Sequence, residues 1–114
     1  MTTIYGIKNC DTMKKAMQWL DTNNIEYTFH DFKKQSLDEK ILYTWLKQVG
    51  WEVLLNKRGT TFRKLPEDVK NSIDETSAKQ IMLDNLSIIK RPVLDIDGKI
   101  AVGFKAEDYA NLFS

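Results

Sequence analysis

Hydrophobic and polar positions recur along this chain with two different periods, and each change of period marks an element. Thr3-Ile4-Tyr5-Gly6-Ile7 is β-branched and aromatic and predicts a short buried strand. Lys8-Asn9-Cys10 leads into Asp11-Thr12, both good helix N-caps. Met13, Ala16, Met17 and Leu20 then recur at i, i+3, i+4 and i+7, the stripe of an amphipathic helix that Asn23-Asn24 ends. From Ile25 to His30 the period drops to two, with Ile25, Tyr27 and Phe29 on one side and Glu26, Thr28 and His30 on the other. That alternation predicts a second strand. Cys10 therefore falls at a turn from strand to helix.

The middle of the chain reads as helical. Ser36 with Glu39 has the spacing of a capping box, Leu37, Ile41, Trp45, Leu46 and Val49 supply the apolar stripe, and Gly50 suits the C-terminal stop. A polar, basic stretch follows, Asn56-Lys57-Arg58-Gly59-Thr60-Thr61-Phe62-Arg63-Lys64. Pro66 predicts a helix start, with Glu67 and Asp68 facing the positive end of the dipole. Ser77 with Gln80 predicts another capped start, opening a helix with Ala78, Ile81, Met82 and Leu86 on one face. Then the period returns to that of strands. Pro92-Val93-Leu94-Asp95-Ile96 and Lys99-Ile100-Ala101-Val102 are joined by Asp97-Gly98, a strong hairpin signal, and Lys105 to Phe113 fits a closing helix.

The order β-α-β, helices, β-β-α predicts an α/β fold with a four-stranded mixed sheet and a helical insertion. The first two strands are parallel through a right-handed crossover and the last two antiparallel. This is the thioredoxin-like, glutaredoxin-type arrangement. At 114 residues, against roughly 100–200 residues per domain, a single domain over residues 1–114 is expected.

Composition narrows the function. With 17 Lys+Arg against 16 Asp+Glu, the net charge of +1 argues against a protein that grips nucleic acid by bulk electrostatics. No apolar run approaches the ~20 residues that span a bilayer, so no membrane association is expected. One cysteine cannot form an internal disulfide or a cysteine zinc site, which favours a reducing, cytoplasmic location. No metal site is expected, because His30 has no partner at ligand spacing.

Cys10 is the sharpest candidate. Unpaired backbone N–H groups and the helix dipole converge where a strand passes into a helix, and both favour thiolate over thiol. Lys8 adds positive charge upstream, while Asp11 opposes it unless its carboxylate turns to cap the helix. A lone cysteine is more often a small buried hydrophobe, but a loop before a helix is not a core position, so the placement favours the nucleophile. Met13 stands where a Cys-x-x-Cys pair would have its second cysteine, so a mixed disulfide on Cys10 needs an outside thiol. Arg91-Pro92 opens a strand after a helix and loop. A cis bond there suits a substrate-facing turn, although trans is far commoner for X–Pro bonds, and Arg91 offers a bidentate fork to an anion. Arg58-Gly59-Thr60-Thr61 combines a fork, a flexible backbone and two hydroxyls, suited to an anion and equally to a solvated basic loop. The tryptophans Trp19, Trp45 and Trp51 read as packing residues, and Asp95 and Asp97 as turn chemistry.

Three separated segments, Tyr5-Gly6-Ile7-Lys8-Asn9-Cys10-Asp11-Thr12, Asn56 to Leu65, and Ile89-Lys90-Arg91-Pro92-Val93-Leu94, together resemble the arsenate reductase ArsC/Spx family. The likeness runs from about residue 3 to residue 113 and is strongest to the small branch of glutathione-dependent thiol reductases. It implies a cis-proline at Pro92, a nucleophile at Cys10, and arginines that hold an oxyanion. Arg91 matches one of these. The register of Leu54-Leu55 puts Asn56 at the middle one, with Arg58 as its substitute. Lys105 stands where arsenate reductases have another arginine, and lysine cannot reproduce a bidentate clamp.

The resulting expectation is a thiol-dependent reductase. Cys10 is its nucleophile, Arg58, Arg91, Lys8 and Lys105 bind an anionic small-molecule substrate such as arsenate, and glutathione, glutaredoxin or thioredoxin supplies the second thiol. No tightly bound cofactor is expected. The alternative is a regulator resembling Spx that binds RNA polymerase, although such regulators switch through a Cys-x-x-Cys disulfide that Met13 removes.

Overall fold

Short apolar strands can bury their backbone only by pairing, and their pairing here builds the frame that carries Cys10. The computed structural model describes all residues 1–114. β1 (Thr2–Gly6) runs parallel to β2 (Thr28–Asp31) and antiparallel to β3 (Val93–Ile96), which turns back into β4 (Lys99–Val102), so the sheet order is β2-β1-β3-β4. Between β1 and β2 lies α1 (Asp11–Thr22), and α7 (Ala106–Leu112) closes the chain. This is a thioredoxin-like α/β sheet of the predicted mixed order.

The chain divides into two compact units, Met1–Gln35 with Arg91–Ser114, and Ser36–Lys90. In the first, the inward face of α1 (Met13, Ala16, Leu20) packs with Ile4, Leu94 and Tyr109, all essentially solvent-free. The β3–β4 turn follows the Asp-Gly signal. Asp97 and Gly98 both have positive φ (51° and 94°), the geometry of a two-residue hairpin, and the Asp95 carboxylate accepts the Gly98 N–H at 2.7 Å.

The second unit is wholly helical. It comprises α2 (Glu39–Val49), α3 (Trp51–Leu54), α4 (Thr60–Arg63), α5 (Glu67–Lys70), α6 (Glu75–Asp84) and a 3₁₀ turn at Leu86–Ile88. α2 and α6 pack against each other, and Trp45, Leu42, Leu54, Met82, Ile88 and Ile89 are its largest fully buried side chains. An isolated antiparallel bridge between Leu55 and Ile89 ties α3 to the end of the unit, with Lys90 N–H donating to the Leu54 carbonyl at 2.7 Å.

Several helix starts differ from the sequence expectation for one physical reason. A cap is chosen by the geometry of the entering chain, and a serine loses to a neighbouring aspartate that reaches the free N–H groups first. Asp38, not Ser36, caps α2, and Asp74 caps α6 in a capping box with Ser77, not Ser77 with Gln80. Pro66 occupies the cap of α5 instead of its first turn. β2 starts at Thr28 and not at Ile25, because the Ile25 N–H is taken by the Leu20 carbonyl at 2.9 Å as the chain leaves α1.

Candidate active site

β1 ends at Gly6, and four residues later the chain enters α1 with Cys10 itself at the N-cap, in extended conformation (φ −107°, ψ 129°). The predicted caps Asp11 and Thr12 are the first two helical residues, since Cys10 already presents the carbonyl that accepts the Lys14 N–H at 3.0 Å. The cap position has a chemical consequence. A residue there faces the first free N–H groups of the helix, and the backbone N–H groups of Met13 and Thr12 favour the Cys10 thiolate without forming a side-chain cap hydrogen bond to it.

Arg91 reaches the same sulfur from the start of β3. Partial burial pushes the thiol up. The Met13 N–H, the Arg91 side chain, the Thr12 N–H and the Arg91 positive charge outweigh it, and the thiol is held below its ordinary range. The sulfur stays partly accessible, so an anionic nucleophile is stabilised without being sealed off. The Arg91–Pro92 peptide is cis, Pro92 is buried, and its carbonyl accepts the Gly103 N–H at 2.8 Å, which fastens the segment carrying Arg91 to the end of β4.

Each of the other candidate residues has its own surroundings within its unit. Lys8 is exposed and is not among the groups that act on the sulfur. It lines a cavity of its own with Met17, Phe29, Asp31, Lys34 and Gln35. Lys105 is the exposed N-cap of α7. Arg58 belongs to the helical unit, where its N–H donates to the Asn56 side-chain oxygen at 3.1 Å and it lines a groove with Glu52, Val53, Leu55, Asn56, Lys57 and Lys90. Asn56 in turn donates its N–H to the Ile88 carbonyl at 2.9 Å, so the basic segment is held at its start by the helical unit's own core.

The sequence reading missed the backbone donors of Met13 and Thr12. Met13 was conspicuous only for replacing a second cysteine, but its N–H acts on the thiol, and any residue except proline supplies that group at this position. The signal available was the distance of three residues between Cys10 and Met13, the spacing at which an N-cap side chain meets a helical N–H. His30 stacks beside Tyr5 with ring centroids 4.8 Å apart, a packing role.

A cysteine at a helix N-cap beside a cis-proline segment, on a thioredoxin-like sheet, defines a thiol site. The chain belongs to the ArsC family, whose model matches residues 5–112. It is similar to the solved structure of the YffB protein, 47% identical with full coverage of both chains and a TM-score of 0.96. An arsenate reductase (ArsC) related protein from Brucella melitensis is 58% identical over 99% of this chain and 94% of that one, with a TM-score of 0.79. The global transcriptional regulator Spx of Staphylococcus epidermidis is 26% identical over 95% of this chain and 83% of its own.

Proposed function

We propose that the protein is a thiol-dependent reductase in which Cys10 is the nucleophile, Arg91 orients an anionic group of the substrate, and an external thiol completes turnover. The observation that carries this reading is the convergence of the Arg91 side chain and two backbone N–H groups on one accessible sulfur. A thiolate so placed attacks an electrophilic sulfur or an oxyanion centre, and the same donors steady an anion bound next to it.

With a disulfide substrate the step is an exchange. The Cys10 thiolate forms a bond to one sulfur, the original S–S bond breaks, and the departing thiolate takes a proton from water. Cys10 is the chain's single cysteine, so the mixed disulfide is cleared by a second thiol from outside. Glutathione, alone or with glutaredoxin or thioredoxin, is the proposed donor. The substrate class is an oxyanion such as arsenate or a disulfide bearing anionic groups, with Arg58, Lys8 and Lys105 as further anion contacts.

Mass spectrometry after incubation with oxidised glutathione tests the reading. One glutathione adduct is expected on the wild-type protein and none on Cys10→Ser. An unmodified Cys10 at neutral pH sinks it. Likeness to Spx over 95% of the chain supports a second reading, a regulator that binds RNA polymerase. Capture of polymerase by the purified protein, together with no turnover in a glutathione-coupled assay, decides in its favour.

A further inference from the structure

β1 and β2 are parallel, so their carboxyl ends lie at the same edge of the sheet, the place where open α/β sheets bind ligands. The chain leaving β1 contributes Lys8, and the end of β2 with the turn beyond it contributes Asp31, Lys34 and Gln35. Met17 of α1 and Phe29 of β2 supply the apolar part of the wall. Together they bound a cavity of about 240 Å³. That is below the roughly 300–1,000 Å³ of sites that enclose a whole drug-sized ligand, and it suits one end of a longer molecule.

The charges in this cavity are unequally committed. The ion pairs of the molecule engage the Met1 amino group, Lys47, Lys70 and Lys79, which leaves the ammonium groups of Lys8 and Lys34 without a carboxylate partner. The Asp31 carboxylate already accepts the Lys33 N–H at 2.9 Å. With the Asp31 carboxylate counted, two lysines leave the lining a net charge of +1 (two positive, one negative) beside an amide and an apolar wall. Lys8 precedes Cys10 by two residues, so their Cα atoms are no more than about 7 Å apart.

We propose that this cavity seats the carboxylate-bearing end of the peptide thiol or disulfide that reacts at Cys10, with Lys8 and Lys34 holding the carboxylate, Gln35 donating to it and Met17 and Phe29 covering the adjoining methylenes. The proposal rests on Cys10 being the nucleophile, and it adds the selectivity of the site. A disulfide with free carboxylates is preferred over a neutral one of similar reactivity. The covalent step is the exchange already written, with one glutathione released per adduct formed on Cys10.

The test compares adduct formation from oxidised glutathione and from hydroxyethyl disulfide, which has no carboxylate, for the wild type, Lys34→Glu and Lys99→Glu. Lys99 is exposed in β4 and outside the cavity, and its substitution makes the same change in net charge. In Lys34→Glu the ratio of the glutathione rate to the hydroxyethyl rate is expected to fall about twofold to fivefold, the upper part of the range for exposed charge pairs. In Lys99→Glu it keeps its wild-type value. A ratio unchanged in Lys34→Glu, or lowered equally in Lys99→Glu, overturns the cavity assignment and leaves the Cys10 chemistry standing. A wild-type protein that reacts with neither disulfide overturns the reductase reading itself.

Discussion

Arg91, two residues before β3, acts through its side chain and positive charge on the thiol of Cys10, the N-cap of α1, and favours its thiolate. The two residues are remote in sequence, and they meet because β1 and β3 are adjacent antiparallel strands, with Tyr5 opposite Val93. The end of one strand and the beginning of the other therefore share an edge of the sheet. Cys10 continues from the first and Arg91 leads into the second.

Removing that partner makes the thiol more ordinary. In Arg91→Met, the midpoint of iodoacetamide alkylation against pH is expected to move up, and alkylation at neutral pH to slow several-fold, since a polar side chain and a positive charge that favour the thiolate are lost together. Arg91→Lys restores the charge without the planar fork and falls between the two. An unshifted midpoint in Arg91→Met would show that the backbone donors alone set the thiolate.

The same shift predicts how stability varies with pH. A thiol held below its unfolded value of about 8.5 binds fewer protons in the folded state, so its contribution is fully present above that value. It is lost as pH falls through the folded value. The stability of the wild type relative to Cys10→Ser, measured by urea denaturation across a pH series, should therefore rise with pH between the folded value and about 8.5. A difference that is flat, or that falls with pH, contradicts a depressed thiol.

Gly6 tests the seating of α1. A methyl group there overlaps the sulfur at the far end of the fully buried Met13 side chain, which must shift to admit it. Gly6→Ala is expected to cost about 1–3 kcal/mol, the range for overpacking a core. Because the Met13 N–H favours the Cys10 thiolate, the same variant should also alkylate more slowly at neutral pH. Loss of stability with full thiol reactivity would mean that α1 absorbs the strain away from its first turn.

Tyr109 offers the opposite sign. Its ring packs edge-on against Phe104 at 4.7 Å and Trp19 at 5.6 Å, while its hydroxyl is buried with no hydrogen-bond partner. Burial alone pushes its ionisation far up. Tyr109→Phe keeps the ring and removes the unpaired group, so stability should stay level or rise by about 1 kcal/mol. A urea midpoint that drops clearly would show that the hydroxyl bonds in solution.

The place of Cys10 in the fold was legible in the sequence. The periods of two and 3.6 on either side of Lys8-Asn9-Cys10 put the cysteine at a strand-to-helix turn, and Asp97-Gly98 announced the hairpin that aligns β3. Where the reading slipped, the cause was competition between local options of similar energy. Asp38 and Asp74 displaced the expected serine caps, and the exit of α1 captured Ile25 although its alternation suited a strand. Trp51–Leu54 and Thr60–Arg63 are helices too short for periodicity to register. Lys8, which adds positive charge upstream of Cys10, lines a cavity with Lys34 that no spacing along the chain foretells.

By itself the sequence determined the element types, the mixed sheet and the isolation of one cysteine that must borrow its partner thiol, because these follow from periodicity, turn chemistry and composition. Only the tertiary structure decided which groups touch that cysteine. The donors of Met13 and Thr12 exist because Cys10, and not Asp11, is the cap. Arg91 arrives through strand pairing, which joins residues without regard to their distance along the chain. A thiol's acidity is set within a few ångströms of its sulfur, and that neighbourhood is a product of folding.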